Sequence, residues 1–121
     1  MNISFINNKI IRKELFNNSE NTNKSIELND SIYNYRYIYI EGDNYLYYTI
    51  IPIYSKSQTN LVGIGGWTGA SGNVGTTHIK ATVDITGKNI TIETFLSIVH
   101  NQNSSHQESI ERLCKKVIGI K

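Results

Sequence analysis

The clearest pattern of apolar and polar positions lies in the second half of the chain. From Ile79 to Ile85, apolar residues occupy every other position, and a period of two places them on one face of a β-strand. Residues 86–89 are turn formers, and residues 90–99 then resume a mostly apolar pattern. We therefore predict a β-hairpin over residues 79–99.

A second alternation is made of aromatic residues. Tyr33, Tyr35, Tyr37 and Tyr39 occur at every other position. This spacing predicts a strand with all four rings on one face.

The residues that follow this strand predict a second hairpin. Residues 41–44, Glu-Gly-Asp-Asn, are typical of a tight turn, and residues 45–54 return as the partner strand. Because Pro52 cannot donate a backbone hydrogen bond, we expect the end of the return strand to lie at a sheet edge or a bulge.

Near the N-terminus the apolar runs are short. Residues 9–16 and 25–28 are predicted strands, and the polar residues 17–25 between them are predicted to form a surface loop. Residues 1–8 precede the first of these strands, and we expect either a frayed end or an arm that anchors in another protein.

The C-terminal residues fit two interpretations. The apolar spacing suits a helix, and Ser105 with Glu108 has the pattern of a capping box. Residues 116–120 read equally well as a strand. We predict a closing strand from about Leu113 onward, with one short helical turn confined to the residues before it.

Between the two hairpins, residues 61–75 hold six glycines. We expect a mobile loop, because glycine-rich segments cost entropy to order. The loop would display Trp67, the only tryptophan, either to a sugar ring or to a neighbouring subunit. The alternative is that Trp67 fills the core of its own chain.

Composition agrees with these strands. Ile, Thr, Tyr, Val, Phe and Trp account for 47 of the 121 residues, whereas Ala, Leu, Met, Glu, Lys, Arg and Gln account for 31. The predicted fold is an all-β, antiparallel, jelly-roll-like β-sandwich that forms a single domain over residues 9–121.

Charge and cysteine content exclude several classes of protein. A net charge of +2 is too small for a protein that wraps nucleic acid. A single cysteine cannot form an internal disulfide. The longest apolar run, residues 50–53, is too short to cross a membrane, and residues 1–5 lack the features of a secretory signal. We expect no nucleic-acid and no membrane partner.

The sequence also lacks the usual signatures of catalysis. In the glycine-rich stretch no Lys-Ser or Lys-Thr follows, and the dinucleotide-binding spacing fails at Thr68, so we expect no nucleotide cofactor. His78, His100 and His106 have no ligands at metal-binding spacing. Nothing marks Cys114 as more than a small apolar residue. We predict no catalytic residues, no metal, no cofactor and no enzymatic activity.

Three short segments carry a resemblance to a known family. Lys13-Glu14-Leu15-Phe16, Ser25-Ile26-Glu27-Leu28 and Tyr35-Arg36-Tyr37-Ile38-Tyr39-Ile40 resemble the opening of small β domains in tailed-phage fibre and receptor-binding proteins. The ending Val117-Ile118-Gly119-Ile120-Lys121 is similar to the segment with which those domains finish.

The resemblance implies a β-sandwich subunit of a homotrimeric virion fibre or spike without catalytic activity. Such a subunit attaches to a host surface or caps a fibre, and its partners are copies of itself and another virion protein. In those fibres the module usually follows a long shaft, whereas here it makes up most of the sequence. A tail fibre, a head fibre, a decoration protein and a tail adaptor therefore all stay open.

The aromatic residues are the candidate binding or interface residues. They are Trp67, Tyr33, Tyr35, Tyr37, Tyr39 and Tyr47. All eight tyrosines lie within residues 33–54, and a row of rings suits a protein or glycan surface as well as ordinary packing between strands. The alternative function is a lectin-like module in which Trp67 and the tyrosines stack on host surface glycans.

Overall fold

In the computed structural model, residues 11–18, 24–69, 72–100 and 107–121 are described. They form nine strands and a 3-10 turn at Ile32–Asn34. The strands are β1 (Arg12–Asn17), β2 (Ser25–Glu27), β3 (Tyr37–Glu41), β4 (Tyr48–Pro52), β5 (Asn60–Thr68), β6 (Val74–Val83), β7 (Asn89–His100), β8 (Gln107–Glu111) and β9 (Lys116–Ile120). None of the described residues belongs to a helix long and apolar enough to cross a membrane.

The strands form two sheets. Sheet A has the order β1-β9-β3-β4, and sheet B has the order β2-β7-β6-β5. β2 and β8 both pair with β7 on the side away from β6. β2 pairs with residues 89–91 of β7, and β8 pairs with residues 96–100. Every pairing between the described strands is antiparallel. The predicted all-β antiparallel sandwich is confirmed.

Apolar side chains, most of them aliphatic, fill the space between the sheets. Sheet A contributes Leu15, Ile38, Ile40, Ile51 and Val117, and sheet B contributes Ile26, Leu61, Ile79, Ala81, Ile90 and Phe95. In β3, β4 and β6 buried residues alternate with more exposed ones. This period of two leaves the second face of each sheet toward solvent.

The hairpin predicted from the second half of the chain is formed by β6 and β7. Its turn contains Gly87, whose φ of +74° favours glycine. Asp84 accepts hydrogen bonds from Asn89 and Thr86, which lower the pKa of its carboxyl group to about 2. The pairing ends at Val83, so the expectation that Ile85 continues the buried face is wrong: Ile85 is 90% exposed.

The first hairpin is also present, with a longer connection than predicted. β3 pairs with β4, and residues 42–47 connect them. Pro52 ends β4, which is the edge strand of sheet A. The predicted edge position of this proline is confirmed.

The prediction of a glycine-rich loop over residues 61–75 is wrong. Most of this stretch forms the hairpin of β5 and β6, in which Gly63 pairs with Ile79 and Gly65 with Thr77. A Cβ on Gly65 would overlap the carbonyl oxygen of Tyr48. The glycines therefore serve the close approach of β5 to β4 rather than a mobile loop.

The C-terminal prediction is half confirmed. A closing strand forms as β9, but Gln107–Glu111 is a strand rather than a helical turn. β8 pairs with the last residues of β7, and this long-range pairing outweighs the local helical spacing. The predicted cap at Ser105 and the predicted arm at residues 1–8 lie outside the described residues.

Candidate functional site

The outer face of sheet A has an apolar surface at its centre. Directly paired residues of neighbouring antiparallel strands point to the same side, so the register defines this face. We call it the tyrosine face, and its residues are Arg12, Glu14, Asn17, Tyr37, Tyr39, Glu41, Tyr48, Ile50, Pro52, Lys116, Ile118 and Ile120. Two of the predicted residues, Tyr37 and Tyr39, lie on it.

A groove of about 480 Å³ crosses the tyrosine face. Its apolar lining includes Tyr39, Tyr48, Ile50 and Ile118. The rings of Tyr39 and Tyr48 stack with their centroids 5.4 Å apart. This volume falls in the range of sites that receive a small molecule or the side chains of a partner.

Tyr39 is fixed in place by a charged neighbour. Its hydroxyl donates a 2.6 Å hydrogen bond to Glu41 Oε1. Burial raises the pKa of the Tyr39 hydroxyl well above its usual value, and the bond to Glu41 and the charge of that carboxylate add to the rise. The hydroxyl therefore stays protonated and keeps Glu41 oriented at the margin of the groove.

Tyr33 and Tyr35 do not share this face, so the prediction of four rings in one row is wrong. Ser31 Oγ accepts a hydrogen bond from the backbone of Tyr33 and caps the 3-10 turn, which interrupts the alternation before β3 begins. The Tyr33 hydroxyl donates to the carbonyl of Gln58 at 2.7 Å.

Tyr35 is a core residue. Its side chain is 5% exposed and packs against the backbone of Gly119. The Tyr35 hydroxyl donates to Asp30 Oδ2 at 2.8 Å, and burial together with this bond raises its pKa to about 12. Tyr33 and Tyr35 therefore stabilise the fold and are not placed to receive a partner.

Trp67 and Tyr47 meet at one end of the sandwich. Trp67 lies on β5, where its half-buried ring packs on Gly75. The Tyr47 ring meets it edge to face at 5.5 Å. Trp67 is therefore held in a strand, and the prediction that a mobile loop displays it is wrong.

Arg112 completes this contact, and we call Asp43, Tyr47, Trp67, Ser97 and Arg112 the tryptophan cluster. The Arg112 guanidinium lies 3.7 Å from the centre of the Tyr47 ring. Its Nε donates to Ser97 Oγ at 2.7 Å, and it forms an ion pair with Asp43 at 3.5 Å. The cluster joins the β3–β4 connection to sheet B.

The interior next to the tryptophan cluster contains unpaired hydroxyl groups. Thr49 and Thr77 are at most 1% exposed. Neither hydroxyl has a hydrogen-bond partner among the residues that the structure describes. Because burying an unpaired hydroxyl costs free energy, these positions lower the stability of the sandwich.

We expect Thr77→Val to raise the free energy of unfolding by about 1 kcal/mol, because valine keeps the shape and removes the buried hydroxyl. Urea denaturation measures the change. Thr82→Val, at a half-buried position of the same strand, is the control and is expected to shift stability by less than about 0.5 kcal/mol. A loss of stability in Thr77→Val would show that the hydroxyl is paired in solution.

The described part of the chain contains no group of three or more His, Cys, Asp or Glu side chains that could hold a metal ion. His78 Nε2 lies 2.9 Å from Thr76 Oγ1. Cys114 is buried, and burial raises the pKa of its thiol to about 12, which disfavours the nucleophilic thiolate. His106 lies outside the described residues.

Several residues that line the groove did not appear among the sequence candidates. They are Arg12, Glu41, Tyr45, Tyr48, Ile50, Lys116, Ile118 and Ile120, all of which line the groove. The alternation in residues 116–120 indicated a strand, but nothing in it indicated that this strand lies beside β3.

Comparison with protein-family models, curated proteins and solved structures gives no significant match.

Proposed function

We propose that this chain is a non-catalytic structural subunit of a bacteriophage virion, of the fibre or spike type. It assembles with copies of itself, as a homotrimer, and binds a second virion protein. Its role is attachment to the host surface or capping of a fibre. The observation that carries the proposal is the uncovered apolar centre of the tyrosine face.

That centre is unusual for a protein that works alone. Tyr37 is 45% exposed and Ile50 is 50% exposed, and they lie on the same face of neighbouring strands. Large contiguous apolar patches mark surfaces that other proteins cover. A subunit whose task is assembly requires such a surface.

The segments that resemble phage fibre domains support the same proposal. Residues 37–40 of the tyrosine segment lie in β3, and residues 117–120 of the closing segment lie in β9. These two strands are neighbours at the centre of sheet A. The resemblance therefore falls on the strands that build the tyrosine face.

Two measurements test the proposal. Sedimentation velocity of the purified protein at micromolar concentration is expected to give a trimer, and immunogold labelling is expected to place the chain on phage particles. A monomer, or particles that carry no label, would overturn the proposal. A monomer that binds host polysaccharide would favour the carbohydrate-binding module instead.

A further inference from the structure

The tyrosine face has an apolar centre and a charged margin. Its middle row runs from Ile118 through Tyr39 to Ile50, and the next row runs from Ile120 through Tyr37 to Pro52. A dry centre with polar groups around it is the usual arrangement of a protein–protein interface, and tyrosine is enriched there.

The margin carries equal numbers of both charges. Arg12 and Lys116 are basic, and Glu14 and Glu41 are acidic. The Tyr39 hydroxyl orients Glu41, and the Asn17 amide donates to Glu14 at 3.3 Å. Each charge therefore has an opposite charge on the same surface, so that a second copy of this chain offers a complement to every one of them.

The outer face of sheet B differs at its centre. One of its two central strands, β6, presents the polar residues Thr76, His78 and Lys80 on this side. Apolar residues flank this polar row, with the exposed Val62 and Ile64 on β5 and the half-buried Leu96 and Ile98 on β7. Lys80 forms an ion pair with Glu93 at 3.4 Å, and His78 bonds to Thr76. Polar groups that already satisfy one another in the middle of a face do not favour burial under a partner.

We propose that the tyrosine face is the surface through which copies of this chain associate. The tyrosine faces of three copies meet around the threefold axis, where their apolar centres become buried. Arg12 and Lys116 of each copy then face the carboxylates at the margin of its neighbour. This proposal rests on the proposed self-assembling function and names its surface.

A pair of matched isoleucines tests the proposal. Ile50 is 50% exposed on the edge strand of sheet A, and Ile64 is 67% exposed on the edge strand of sheet B. We expect Ile50→Lys to raise the dissociation constant of the assembly by at least roughly a hundredfold, because a lysine cannot be buried unpaired in the apolar centre. Ile64→Lys is expected to leave the assembly unchanged. Sedimentation equilibrium measures both, with circular dichroism to show that each variant folds.

The outcomes separate this proposal from the proposed function. A monomeric wild-type protein contradicts both. A wild-type trimer that persists in Ile50→Lys overturns the tyrosine face as the surface of association and leaves the self-assembling function intact. If Ile50→Lys does not fold, Tyr37→Lys, at a position 45% exposed on the same face, replaces it with the same expected loss of assembly.

Discussion

Gly65→Ala is expected to lower the free energy of unfolding by at least about 3 kcal/mol, at the upper end of what overpacking costs. The added Cβ would overlap the carbonyl oxygen of Tyr48, which is a backbone atom. A flexible side chain would rotate away, but a carbonyl in β4 moves only if the strand moves. The substitution therefore disturbs the contact between the two sheets.

The neighbouring glycine provides the control for this experiment. Apart from the residues next to it in the chain, a Cβ on Gly66 would come closest to the carbonyl oxygen of Gly75, at 4.0 Å. Gly66→Ala is therefore expected to be neutral or to stabilise the protein by about 0.5 kcal/mol, because alanine restricts the unfolded chain. Urea denaturation of both variants measures the difference. Equal effects of the two substitutions would contradict the close approach of β4 and β5.

Arg112→Ala is expected to lower the free energy of unfolding by about 3 kcal/mol, as a charged hydrogen bond and a cation–π contact are both lost. The Arg112 side chain is 14% exposed. Its removal leaves the buried hydroxyl of Ser97 without this donor and uncovers the ring of Tyr47.

Two further variants test whether the loss of stability comes from the contacts of Arg112. Arg112→Lys keeps the positive charge but loses the planar group that stacks on Tyr47, so its loss of stability should be intermediate. Arg36→Ala, at an exposed position, is expected to change stability by less than about 0.5 kcal/mol. Thermal and urea unfolding measure all three variants. An Arg112→Ala variant as stable as Arg36→Ala would show that the tryptophan cluster does not hold the sheets together.

The sequence predicts those parts of the fold that depend on local alternation. The hairpin of β6 and β7 is predicted because buried and exposed residues alternate over most of β6 and a turn with glycine follows. The strand β9 is predicted for the same reason. In both places the pattern of burial and the pattern of residue types coincide.

Prediction fails where a distant residue decides the local structure. The glycines of β5 look like a loop until the backbone of β4 is known to lie against Gly65. The spacing of residues 107–111 fits a helix, but backbone pairing with β7 makes them a strand.

The tyrosine row fails for a local reason. Tyr33 and Tyr35 continue the alternation in sequence, but the Ser31 cap turns the backbone before β3 begins. Of the six predicted candidates, Tyr37 and Tyr39 lie on the tyrosine face. Tyr33 and Tyr35 stabilise the fold, and Tyr47 and Trp67 belong to the tryptophan cluster. The cation–π contact between Tyr47 and Arg112 joins residues far apart in sequence, so no local spacing predicts it.

The close contact between β4 and β5 also limits how this chain can vary over evolutionary time. A side chain at Gly63 or Gly65 would point into the sandwich and collide with β4. Positions 62, 64 and 66 lie on the opposite face of β5 and point away from the sandwich. Mutational drift along β5 is therefore confined to alternate positions. The outside of sheet B can diversify to suit a new neighbour or receptor without altering the interior that supports the tyrosine face.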